Sequence, residues 1–171
     1  MIQGFGEKLR SETNGSFDLV LSLSVLEHVK RLRSFLKLSV EAAKVGGLIV
    51  HRYDLGHAYH SSPPERLKTW IATYLPQLFP ASSFTFKPNL KVIREELKNA
   101  GAEVISVECS QMNSLKKAMN HIDWKSAEGL QTALEILKID KTIAAHILPS
   151  MSDIAIESLF PTVTIVAKRL E

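Results

Sequence analysis

The chain has 171 residues, of which 45% are hydrophobic and 23% charged, and this predicts one folded domain rather than a disordered or fibrous chain. Its formal charge, 21 Lys and Arg against 18 Asp and Glu, is only +3, too small a balance to imply a nucleic-acid partner. No apolar run reaches about 18 residues, Met1–Arg10 carries Glu7 and no apolar stretch, and Cys109 is the single cysteine, so we expect no membrane span, no signal peptide, no internal disulfide and a cytoplasmic setting.

In chain order, Phe17–Ser24 (FDLVLSLS) reads as a buried strand after the turn residues Asn14-Gly15-Ser16. Val29, Leu32, Phe35, Leu36, Val40 and Ala43 then recur at helical spacing, with Lys30, Arg31, Arg33, Lys37 and Glu41 on other faces. Gly46-Gly47 is expected to close that helix, and Leu48–Tyr53 (LIVHRY) to form a second strand, parallel to the first. Leu67, Trp70, Ile71, Tyr74, Leu75 and Leu78 mark a helix entered through Pro63-Pro64. Leu90, Ile93, Leu97 and Ala100 mark another, stopped by Gly101, and Ala102–Cys109 reads as a third strand. Met112–Ile122 and Ser126–Ile139 read as helices, the second on the stripe Leu130/Ala133/Leu134/Leu137. Asp140 is expected to cap one more, which Pro149 ends. Pro161–Leu170 (PTVTIVAKRL) is β-branched and reads as the last strand. The order predicts a layered α/β domain.

The stretch Gly4–Val29 (GFGEKLRSETNGSFDLVLSLSVLEHV) followed by Lys44–Leu55 (KVGGLIVHRYDL) resembles class I S-adenosylmethionine-dependent methyltransferases, Rossmann-like enzymes with a seven-stranded sheet. Asn89–Cys109 resembles the family's next helix and strand, and Phe160–Arg169 its final strand. The resemblance covers most of the chain except a helical insertion near residues 111–158. It implies a single, N-terminally truncated methyltransferase domain over residues 1–171, with about four strands. The last strand should be antiparallel and inserted between Ala102–Cys109 and Leu48–Tyr53. The family's donor-binding G-x-G-x-G turn is nowhere in the sequence, so about two βα units and a strand, roughly 60–80 residues, are expected to be missing upstream.

The resemblance also places candidate site residues. Phe5 and Gly6 stand where the family contacts the adenine ring. Phe5 replaces an acid, so it can stack on a purine but cannot accept a hydrogen bond from it. Leu23, with Ser24, ends the first strand, where backbone approaches the methionine part of the cofactor. His28 and His57 are the candidate bases that take a proton from the acceptor. Glu27-His28 sits where some relatives place a metal-binding E-x-x-E-H, but here the first position is Ser24, a poor substitute for a carboxylate, and Glu27 equally suits the start of a helix, so no metal is expected. His51, His57 and His60, with Asp54, group at and after the second strand as proton movers, as an H-x-x-H ligand pair, or as an ordinary polar loop. Cys109 reads as a small core residue, and the cations of the first helix as a solvated face. The implied function is methyl transfer from S-adenosylmethionine to a small-molecule acceptor. The alternative is a non-catalytic remnant acting as a binding or helper module. With its partner strand missing, Phe17–Ser24 is expected to be an open edge that self-associates or pairs with an N-terminal half.

Overall fold

The computed structural model describes residues 14–54 and 87–170, together with residues 67, 71, 75 and 78 between them. The described strands are β1 (Phe17–Leu23), β2 (Ala43–Asp54), β3 (Ala102–Ser110) and β4 (Thr162–Arg169), in the sheet order β1-β2-β4-β3. The expected insertion of the last strand is thus observed. β1 and β2 are parallel, with Leu19 beside Leu48, Leu21 beside Val50 and Leu23 beside Arg52. The Leu170 N–H donates to the Gly101 carbonyl (2.9 Å), which sets the end of β4 beside the start of β3, as antiparallel strands require.

One helix packs on the sheet's parallel pair, and a second packs on the first. Helix α1 (Leu32–Ala42) buries Phe35, Leu36, Ser39, Val40 and Ala42, and α2 (Leu90–Asn99) buries Leu90, Ile93 and Leu97. Asn89 starts α2 by accepting from the Val92 N–H (3.1 Å), and Gly101, at φ +90°, follows its end. Ile49, Tyr53, Ile165 and Ala167 complete this core at zero exposure.

The end of α1 differs from the expectation. The helix stops at Ala42, strand β2 begins at once at Ala43, and Gly46-Gly47 lie inside the strand. β1 advances two residues, from Phe17 to Leu19, while β2 advances five, from Ala43 to Leu48. The glycines shape this bulge. Gly46 has φ +79°, and a Cβ on Gly47 would lie 2.8 Å from the Lys44 carbonyl oxygen and 3.1 Å from that of Phe17. The stop for α1 comes from far along the chain. Arg169, at the end of β4, donates through Nη1 to the carbonyls of Glu41 (2.7 Å) and Ala43 (2.7 Å), placing a cation on the helix's last carbonyls.

The chain forms two compact units, residues 1–107 with 164–171, and residues 108–163. The second holds α3 (Asn113–Met119), α4 (Ala127–Ile147), a 3₁₀ turn (Leu148–Ser150) and α5 (Asp153–Leu159). Ser126 and Ser152 cap α4 and α5 by accepting from Gly129 N–H (2.9 Å) and Ala155 N–H (3.3 Å). Asp140 starts no new helix. It is buried within α4, and its two carboxylate oxygens accept from the backbone N–H groups of Gln111 (2.7 Å) and Met112 (2.8 Å). Gln111 has φ +63°, so the acid caps and pins a strained backbone turn at the entrance to α3. The expected stripe on α4 is also turned. Ala133, Asp140 and Ala144 are buried, while Leu130, Leu134 and Leu137 are partly exposed.

The helix expected after Pro63-Pro64 lies mostly outside the described residues. Leu75 N–H donates to the Ile71 carbonyl (2.7 Å), a helical step, and Leu67, Leu75 and Leu78 are exposed. Among the described residues no helix is long and apolar enough to cross a membrane.

Candidate functional site

Parallel strands bind ligands beyond their carboxyl ends, where side chains and backbone groups emerge from the sheet. Here that place is the shared end of β1 and β2. The strands stay paired to their last residues, because Ser24 N–H donates to the Arg52 carbonyl (2.8 Å). Ser24 then turns the chain at φ +52°, an uncommon conformation for a residue with a side chain. A single 3₁₀ turn, Leu26–His28, follows, closed by His28 N–H to the Val25 carbonyl (2.9 Å). Leu26 and Val29 are buried and anchor the turn at both ends. That leaves Leu23 and His28 exposed at the strand end. Both lie on the segment that leaves the end of β1.

Glu27 lies between the anchors at zero exposure, and neither of its carboxylate oxygens is hydrogen bonded. Burying a carboxylate without donors is costly, so the turn holds a strong unmet demand for a donor or a positive charge. Among the described residues no group of three or more His, Cys, Asp or Glu is arranged to hold a metal ion. The remaining candidates, Phe5, Gly6 and His57, lie outside the described residues, as does His60.

His51 is separate from this loop. It sits inside β2, fully buried, and joins three elements. Its Nδ1 is 2.7 Å from Ser22 Oγ on β1, and its Nε2 is 3.1 Å from Ser39 Oγ on α1. Ser39 donates its own proton to the Leu36 carbonyl (2.7 Å), so its oxygen accepts from Nε2–H. Nδ1 is then left to accept from the Ser22 hydroxyl. Both ring nitrogens are satisfied in the neutral form, with the Phe35 ring centred 5.8 Å away. Burial pushes the His51 pKa down to about 4. This histidine is a structural clamp. The signal for it was available in the strand pairing, since Ser22 and His51 are polar residues in apolar strands and stand side by side in the register.

A surface cleft of about 380 Å³ opens between the start of α1 and the end of α2, lined by Arg33, Ser34, Lys37, Glu96, Asn99 and Ala100. Arg33 Nε and Glu96 Oε1 pair across it at 3.0 Å. It contains none of the candidate residues.

Comparison with known proteins bears on the fold. Residues 1–51 match the family model described as a methyltransferase domain. None of the curated proteins matches the sequence. Among solved structures, a Galdieria sulphuraria protein assigned as a sarcosine dimethylglycine methyltransferase aligns with a TM-score of 0.52 at 11% identity, over 97% of this chain and 57% of its own. A SAM-dependent methyltransferase from Archaeoglobus fulgidus aligns with a TM-score of 0.50 at 17% identity, over 98% and 66%. Phosphoethanolamine N-methyltransferase 2 from Haemonchus contortus, solved with S-adenosyl-L-methionine, aligns with a TM-score of 0.48 at 19% identity, over 92% and 34%. The chain therefore spans about a third to two thirds of the length of these structures. Its sheet and helices are those of the Rossmann-like, class I methyltransferase fold.

Proposed function

We propose, from its class I methyltransferase fold and the family match of its first 51 residues, that the chain is part of an S-adenosylmethionine-dependent methyltransferase acting on a small-molecule acceptor. The observation that carries this reading is the turn at the carboxyl end of β1, where the exposed imidazole of His28 directly follows a buried carboxylate with no hydrogen bond, Glu27. Bound S-adenosylmethionine supplies a methyl group activated by a positively charged sulfur. Glu27 sits in a low-dielectric environment and favours such a charge at the strand end through its field, without contact. Leu23 offers its exposed backbone to the methionine part. By the resemblance, Phe5 would stack on the purine and Gly6 would let the backbone approach it. His28 would take the proton that the acceptor releases on methylation, with His57 the second candidate for that role. Most of the acceleration comes from holding the two reactants in line.

The sequence has no G-x-G-x-G turn to cradle the donor, so residues 1–171 are expected to bind it no more tightly than about millimolar, ~4 kcal/mol. Titration with S-adenosylhomocysteine, followed by amide chemical shifts, should move Leu23, Ser24 and His28. No movement there up to about 10 mM overturns the placement of the site, and micromolar affinity overturns the weak-binding expectation. A non-catalytic binding module is the second reading, favoured by the exposed leucines of β1. It expects the same amides to stay still while those along β1 respond to a protein partner.

A further inference from the structure

Residues 108–163 form a compact unit of their own, and they are held together differently from the sheet. Among the described residues of this unit, the buried apolar side chains are Cys109, Ala133, Ala144, Ile156, Phe160 and Val163, and three of these are alanine or cysteine. Trp124, Leu130, Leu134, Ile139 and Ile154 are exposed. Hydrophobic burial therefore contributes little per residue here, and a region that buries few apolar side chains opens at a lower free energy than the core of a protein. Polar ties carry a correspondingly larger share of what keeps the unit closed.

Those ties converge on one short turn, residues 111–113. From α4, the Asp140 carboxylate accepts from the N–H groups of Gln111 (2.7 Å) and Met112 (2.8 Å). From the start of β4, the Thr162 hydroxyl donates to Gln111 Oε1 (2.9 Å). Asn113 Nδ2 in turn donates to the Ser158 carbonyl on α5 (3.3 Å). Three segments distant in sequence are thus fastened to three consecutive residues. The strongest of these ties is the acid, because hydrogen bonds to an ionised carboxylate are about twice as strong as neutral ones and Asp140 is only 2% exposed to competing water. Gln111 is held at φ +63°, a conformation that its side chain disfavours, so the turn relaxes to ordinary backbone once the carboxylate lets go. The turn therefore has a fastened and a released state. We propose that residues 108–163 open and close as one cooperative unit while the pairing of β1 with β2 stays intact, and that Asp140 is the latch whose bonds to the turn set how often the unit opens. Every group of the latch lies within residues 108–163, and the inference does not depend on the methyl-transfer reading.

The test is amide hydrogen exchange of residues 1–171 in rising, sub-denaturing concentrations of guanidinium chloride. The amides of α3, α4 and α5 should merge into one common opening, reached at least about a hundredfold more often than the opening that exposes Ile49 to Tyr53 in β2. Asp140→Asn keeps the shape of the side chain and removes its charge. It should speed exchange along α3, α4 and α5 alike by about tenfold to a hundredfold and leave the β2 amides unchanged. Thr162→Val removes the lesser tie and should give the same pattern at about threefold to tenfold. The proposal is overturned if the helices of 108–163 and β2 share one opening in the unmodified chain. It is also overturned if Asp140→Asn speeds only the Gln111 and Met112 amides, because the acid is then a local cap and not a latch. If Asp140→Asn does not fold, the unmodified chain and Thr162→Val decide by the same two criteria.

Discussion

The two faces of the β1–β2 pair make an instructive contrast. On one face, Ser22, Ile49, His51 and Tyr53 are buried, and α1 closes over them with Phe35, Leu36 and Ser39. On the other, Leu19, Leu21, Leu23 and Leu48 stay exposed. The covered face thus carries a histidine and a serine, met by Ser39 from α1, while the open face carries four leucines. Alternation in a strand tells which residues share a face, but not which face is covered. Burial there depends on whether polar groups find partners, as His51 does, more than on how apolar each residue is.

Breaking the covered face should have the largest effect. Leu36→Ala removes a fully buried side chain from α1 and should lower stability by about 2–5 kcal/mol in chemical denaturation, whereas Leu21→Ala on the open face should change it by less than about 0.5 kcal/mol. If the two losses prove equal, the open face is covered in solution.

Acid sharpens the same contrast. His51 titrates near 4 in the folded chain and near 6.5 when unfolded, so falling pH protonates the unfolded state first. The stabilisation is fully present above about pH 6.5 and is lost progressively down to about pH 4, about 3 kcal/mol in all. Stability measured against pH should show this loss, and His51→Gln should flatten it. An unchanged profile in that variant would assign the loss to other groups.

Glu27 gives the smallest effect, with the opposite sign. Its carboxylate is buried like His51 but has no hydrogen-bond partner, so Glu27→Leu should raise stability by about 1–3 kcal/mol. The same variant should weaken the response of the Leu23 and His28 amides to S-adenosylhomocysteine less than their response to S-adenosylmethionine, whose sulfur carries the charge. A loss of stability would mean that the carboxylate has a partner in solution.

Much of the sheet could be read from residues. The apolar runs at 17–24, 102–109 and 161–170 and the helical spacing of Leu90, Ile93 and Leu97 gave elements close to those observed. What could not be read were signals with two meanings. Gly46-Gly47 serve a strand bulge as well as they would a helix end, and only the register of β1 against β2 separates the two. Asp140 is a capping residue, but it caps backbone from Gln111 and Met112, which precede it by 29 and 28 positions. On α4, small residues rather than leucines mark the packed face, because Ala133 and Ala144 allow a closer approach. At the site, the exposure of His28 follows from a turn anchored by Leu26 and Val29. The isolation of Glu27 has no local signature, since it depends on which donors the fold fails to bring near it.

The link from Arg169 to α1 has a consequence for how the chain is made. The arginine and the Ala43 carbonyl it holds are 126 positions apart. At about 5–20 residues per second, the ribosome finishes the helix some ten seconds before it supplies the cation that closes it. During that interval the Glu41 and Ala42 carbonyls rest on the Gly15 and Ser16 N–H groups (2.7 and 3.0 Å), and the cation that also engages Glu41 and Ala43 is still to come. The first half therefore holds this junction with backbone donors alone, and β4 adds the charge from the far end when it pairs beside β2.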